Sequence, residues 1–190
     1  MPTSDQSAPA IHRIVLGIEY DGAAYSGWQK QKSPQQETVQ QHIETALSKV
    51  ADRTVVVSCA GRTDAGVHAT CQVVHFDAEI DRGEKAWTQG VNSLLPRSIR
   101  VVWARNQESG FHARFSALSR RYFYLMYRRD TQSAMLHGRA THMRRELDDG
   151  AMHAAAQHFL GEQDFSSFRA AGCQSKTAMR NVMHANVYRK

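Results

Sequence analysis

Between Arg97 and Arg145 this chain carries 11 arginines and only two acidic residues, Glu108 and Asp130. Negative charge that scarce over so long a stretch makes an electrostatic footprint for a polyanion, against the plainer alternative of a solvated face. The whole chain has a formal charge of +6, and 18 of its 24 basic residues are Arg. Cysteine is scarce as well. Cys59, Cys71 and Cys173 are odd in number and show no Cys-x-x-Cys spacing, which points away from a disulfide framework and toward a reduced, cytoplasmic protein. The ten histidines form no His-Glu-x-x-His and no finger-type set with cysteine, so no metal is expected. His153 and His158 stand five apart on an expected helix and do not share a face. No apolar run reaches the roughly 18 residues that suggest a membrane span. Met1 to Ala10 lacks both the basic and the apolar region of a signal peptide. It reads as a flexible polar tail, bounded here at residues 1–12.

What the chain does have is enough material for a core: 190 residues, 42% of them hydrophobic, sufficient for one large or two small domains. Ile14 to Tyr20 is a mostly apolar run suited to a buried strand, ended by Asp21-Gly22, a turn signal. The polar stretch from Gln29 to Glu37 reads as an exposed loop, where Trp28, Lys30 and Lys32 could grip a nucleic-acid polyanion unless Trp28 packs underneath. Thr38 opens a helix with Gln41 three residues on, a capping-box pattern, and Val39, Ile43, Ala46, Leu47 and Val50 share one face. Strands are expected at Thr54–Ala60 and Cys71–Phe76. A second helix runs from Glu84 to Leu95, with Trp87, Val91 and Leu94 or Leu95 inward and Pro96 ending it, and a strand follows at Ile99–Ala104. The order is β-α-β-β-α-β, the split βαβ or ferredoxin-like unit.

After a connector at 107–118, an aromatic strand is expected over Arg121–Tyr127, with Tyr122, Tyr124 and Met126 on one face. Asp148 caps a helix whose stripe is Met152, Ala155, Ala156, Phe159 and Leu160, stopped by Gly161. A short extended piece at Phe165–Phe168 and an alternating run at Val182–Tyr188 close the chain. The first pattern thus starts again and stops without its last helix and strand. We therefore expect an α+β protein with an N-terminal ferredoxin-like half at 13–106 and a truncated C-terminal half at 119–190, whose last strand exposes apolar surface.

One loop stands out chemically. Gly61-Arg62-Thr63-Asp64-Ala65-Gly66-Val67-His68-Ala69 joins two expected strands, with Gly61 and Gly66 free to take positive φ on either side of the acid. An acid in such a turn commonly bonds only its own backbone, but a carboxylate held by rigid elements is also what a nucleophile or general base requires. A phosphate-cradling loop is the weaker alternative, since neither Gly-x-x-x-x-Gly-Lys-Ser/Thr nor Gly-x-Gly-x-x-Gly is present.

These nine residues resemble the catalytic motif of the tRNA pseudouridine synthase A family. Further blocks agree in the family's order: Tyr20-Asp21-Gly22 with Gly27-Trp28-Gln29, Phe111-His112-Ala113-Arg114-Phe115-Ser116-Ala117, Arg121-Tyr122-Phe123-Tyr124, and Asp164-Phe165-Ser166-Ser167-Phe168-Arg169. The resemblance runs from about Arg13 to the last residue. It implies two ferredoxin-like halves around a mixed, mainly antiparallel sheet, and a homodimer acting on the anticodon stem-loop of tRNA without a cofactor. It also implies Asp64 as nucleophile, Arg62 in the space left by a flipped base, and Tyr122 stacked on uracil. Arg114, Arg120, Arg121 and Arg169 are candidates for RNA backbone contacts. Members of the family continue further, with a central strand, a helix and a basic partner for the acid, a role to which no residue here is assigned. Two alternatives stand beside this reading: an impaired, truncated form that binds RNA without turnover, and a non-catalytic RNA-binding module. The second would show an RNP1 pattern, which no strand carries.

Overall fold

A computed structural model describes residues 11–31, 36–169 and 177–190. The tail expected at the N-terminus lies outside the described residues up to residue 10, as do Lys32 and Cys173. The protein is mixed α+β, with an antiparallel sheet and few helices. It divides into two compact units, one of Met1–Leu125 with Met135–Ala140, the other of Met126–Ala134 with Thr141–Lys190.

The first unit is built on β1 (His12–Tyr20), whose apolar run is long enough to be covered on both faces. Ile14, Val15, Leu16, Ile18 and Tyr20 are all buried. β1 pairs antiparallel with β3 (Ala69–Ala78) on one side and β4 (Ile99–Gln107) on the other. β2 (Ser58–Cys59) adds to β3, giving the order β2-β3-β1-β4. With α1 (Val39–Ala51) between β1 and β2, and a helical segment between β3 and β4, this is the split βαβ order. Of the strand expected over Thr54–Ala60 only two residues enter the ladder.

Helix α1 buries Val39, Ile43, Ala46 and Leu47, with Val50 packed at the margin of the core. Full burial of each large aliphatic side chain contributes about 1.5–3 kcal/mol. Trp87, Val91 and Leu95 of the second helical segment meet them, while Leu94 is exposed. Five residues of that segment, Ala86–Gly90, take the wider π winding. Among the described residues no helix is long and apolar enough to cross a membrane.

The connector docks onto β3 at the His75 imidazole. The backbone N–H of Ala113 donates to Nδ1 of buried His75 at 3.1 Å, and the His75 and His112 rings lie 4.6 Å apart. Burial, followed by the nearness of His112 and Arg13, pulls the His75 pKa below its ordinary 6.5. Arg13 forks onto both oxygens of Asp77 at 2.8 Å, its hydrogen bond holding that carboxylate low. The unfolded chain binds the His75 proton more readily than the folded one. That stability is therefore present above about pH 6.5 and is lost as pH falls through the folded value. Urea midpoints of the parent should drop between about pH 7 and pH 5, and His75→Gln should flatten that slope. An unchanged slope would assign the effect elsewhere; Asp77 acts only at lower pH.

In the second unit, β5 (Met126–Arg128) pairs parallel with β6 (Thr141–Met143), and β7 (Gly161–Asp164) antiparallel with β8 (Met179–Val182). Asp148 does cap α2 (Asp149–Gln157), its carboxylate accepting from Ala151 N–H at 2.8 Å, and Gly161 takes φ 85°. Three expectations are corrected. The aromatic strand shrinks to β5, leaving Tyr122 to Leu125 exposed, because no described strand satisfies their backbone groups. Phe165–Phe168 is a 3-10 turn at Ser166–Phe168, set by Asp164 accepting from the N–H and hydroxyl of Ser166. The closing strand lies earlier than expected, since Val182 is already opposite the first residue of β7. No residue of α2 is fully buried, so its apolar stripe is not a core face in this unit.

Candidate active site

The acid loop is fixed at each step by backbone groups that need partners. Ala60 N–H extends the β2–β3 ladder to Val73 O at 2.8 Å. The side-chain amide of Gln72 then holds both polar groups of Gly61, accepting from its N–H at 3.3 Å and donating to its carbonyl. Thr63 bonds through Oγ1 to the Tyr20 hydroxyl at 2.8 Å, and its carbonyl accepts from Trp28 N–H at 2.9 Å. Val67 N–H closes a four-residue turn onto Asp64 O at 3.2 Å, with Gly66 in third position at φ 77°. That is the positive φ a type II turn demands of its third residue. Gly61 does not share it. Its lack of a side chain serves close approach instead, since a Cβ there would sit 3.1 Å from Nε of Arg120.

A second loop clamps the first. Gly66 N–H donates to Tyr25 O at 3.3 Å, and Gly27, at φ 94°, passes so close that a Cβ would lie 2.8 Å from Thr63 O. The same loop serves helix α1, whose first free N–H groups would otherwise be orphaned. Val39 and Gln40 donate to the carbonyls of Gly27 and Trp28 at 3.2 and 3.0 Å. The expected capping box is therefore not used. Thr38 has the extended N-cap backbone, but its buried Oγ1 finds no partner among the described residues. Trp28 is also not an RNA-gripping ring. It is 1% exposed and packs against Tyr20, ring centres 6.0 Å apart. Lys30, half exposed, lies 3.7 Å from Glu44.

Around this clamp the charges are uneven. Asp64 is exposed, and its carboxylate makes no hydrogen bond or ion pair among the described residues. One peptide run earlier, burial raises the Cys59 thiol, opposed by the positive charges of Arg62, Arg114 and Arg120. Three of the five expected functional arginines thus lie around Cys59, where β2 leads into the acid loop. Arg120 is partly spent on structure, donating through Nε to Ala60 O at 3.0 Å and through Nη2 to Arg114 O at 3.2 Å. Arg114 lies 5.9 Å from the Phe115 ring centre. Burial also raises the Tyr20 hydroxyl, to which Tyr122 adds a smaller push, so Tyr122 is near the Tyr20–Thr63 bond while 75% exposed. Arg121 is exposed in the first unit and Arg169 in the second. Gln72 was missed at the level of sequence. A polar side chain that stays buried within an apolar β run was the signal that could have found it. Among the described residues no three His, Cys, Asp or Glu side chains gather as metal donors.

A profile of the tRNA pseudouridine synthase family matches residues 17–116 and 155–190, which include the whole acid loop. Proteins named tRNA pseudouridine synthase A from Escherichia coli and Escherichia fergusonii are 53% identical over 186 residues. These alignments cover 98% of this chain and 68% of each relative. With a profile match over most of its length and 53% identity over 98% of it, the chain belongs to the tRNA pseudouridine synthase family.

Proposed function

We propose that the protein isomerises uridines in the anticodon stem-loop of tRNA to pseudouridine, with Asp64 as the nucleophile. The observation that carries this reading is an exposed carboxylate on a type II turn, in a loop whose Gly61 end is closed by Arg120, in a chain of this family. The reaction breaks the bond between ribose C1′ and N1 of the base, turns the base, and forms a bond from C1′ to C5. The C5 proton leaves to solvent and N1 takes one up. Nothing is oxidised, so the residues need supply only attack, orientation and proton movement.

The target base must leave its stack, at a cost of a few kcal/mol. In this reading Arg62 fills the vacated space and Tyr122 stacks on the uracil, offsetting that cost. Arg114, Arg120, Arg121 and Arg169 hold phosphates, which set position and not sequence. We further assign residues 13–106 and 119–190 to two ferredoxin-like halves joined by 107–118. The working form is taken as a cytoplasmic homodimer. The split βαβ order of the first unit supports the first assignment, and the unpaired cysteine pattern supports the compartment.

The test is tritium release from unmodified tRNA labelled at C5 of uridine. Release is expected. Binding of that tRNA should weaken steeply with salt, with a log–log slope near −3 if about four phosphates are engaged. Binding with no release would instead favour the non-catalytic RNA-binding module, which the similarity to synthases does not favour.

A further inference from the structure

The acid loop holds a second functional group that this chemistry leaves unused. His68 follows directly on the Asp64–Val67 turn, and its Nε2 lies 2.7 Å from the carbonyl oxygen of Gly138. A carbonyl can only accept, so Nε2 carries a proton. Nδ1 stands 3.3 Å from Gly22 N and 3.1 Å from a carboxylate oxygen of Asp21. In the neutral ring Nδ1 therefore accepts from Gly22 N–H; in the imidazolium it donates to Asp21.

Gly22 is the piece that transmits this contact. A Cβ on it would fall 1.9 Å from Val67 O, so its backbone lies directly on the last peptide of the turn. The segment is anchored from behind by Asp21 N–H donating to Ser98 O at 2.9 Å. The Asp21 carboxylate accepts from Ala23 N–H at 3.1 Å and pairs with Arg139 at 2.9 Å. Ala23 N–H first, and Arg139 next, hold the Asp21 pKa below its ordinary value, so this acid stays ionised. Among the described residues, Asp21 is the charged group against the ring, with Arg139 on its far side.

We propose that His68 is a positioning residue, whose ring clamps Gly22 against the Asp64–Val67 turn and ties Met135–Ala140 to the same point. It touches no reacting atom; it keeps the Asp64 carboxylate aimed. The inference rests on Asp64 being the reacting acid, and its test separates the two.

His68→Ala, His68→Asn and the parent chain should be compared by amide exchange and by tritium release. Asn retains an acceptor near the Nδ1 position. In His68→Ala the Gly66 and Val67 amides should exchange about 10-fold faster or more, while β1 and β3 amides keep their protection. His68→Asn should recover most of that protection. With tRNA, kcat of His68→Ala should fall about 10- to 100-fold with KM within about threefold, since a small misplacement of a reacting group costs rate and not binding. Unchanged turn amides, or a KM effect with kcat intact, would overturn the proposal. If the parent releases no tritium, the Asp64 reading fails and the exchange result still decides the clamp. If His68→Ala does not fold, imidazole nitrogen shifts of the parent at about pH 8 decide it. A proton on Nε2 with Nδ1 bare is required, and the opposite tautomer sinks the idea.

Discussion

Asp64→Asn is expected to reduce tritium release on the order of 10⁴-fold or more, the scale on which removal of a covalent nucleophile is felt. The substitution is close to isosteric. It lands on an exposed side chain without a partner among the described residues, so folding should change by no more than about 0.5 kcal/mol. Binding of tRNA should stay within about threefold of the parent, because phosphate contacts come from the arginines and not from the acid. Loss of turnover with intact folding and binding assigns the chemistry to this carboxylate. Turnover within about tenfold of the parent would remove Asp64 from the mechanism. Absence of turnover in the parent would leave family membership standing and overturn the reading of this chain as an enzyme in its own right.

Trp28→Ala should be the most destabilising single change near the site. Its ring is buried against Tyr20, and truncation of a buried Trp costs about 3–5 kcal/mol in lost transfer energy and cavity. That is a large share of the roughly 5–15 kcal/mol that holds a domain together. For a chain of this size it predicts a Tm lower by roughly 6–20 °C. The consequence extends to chemistry, because Trp28 N–H and carbonyl join the acid loop to the start of α1. Thermal unfolding and tRNA binding, measured together, decide between the two uses of this ring. A loss of less than about 1 kcal/mol with a marked fall in RNA affinity would restore the view of Trp28 as an RNA contact.

Much of the framework could be read directly from residue order, since it depends on local rules. The apolar run of β1, the four-residue spacing along α1, the Gly66 turn and the Asp148 cap each need only their own neighbours. The acid itself stood out because nine consecutive residues carry it. Other features depended on which partner arrived from far along the chain. Thr38 was marked as a cap by its local pattern, yet carbonyls of Gly27 and Trp28 reached the helix N–H groups first. Tyr122 to Leu125 alternate like a strand, but alternation supplies no hydrogen bonds, and the described residues offer no strand to pair with them. Gly61 looked like a conformational glycine and is one of contact, because Gln72 and Arg120 close on it.

The sequence by itself determined the strand–loop–strand that presents Asp64, marked that residue as the candidate acid, and carried the excess of arginine between Arg97 and Arg145, because spacing and side-chain type are properties of neighbours. Only the tertiary structure decided that Trp28 is buried support, that Arg120 is half committed to a backbone carbonyl, and that His68 reaches Gly22, Asp21 and Gly138 at once. Each of those is a competition among distant groups for one hydrogen bond or one buried volume, and folding settles it by which group arrives with the better geometry.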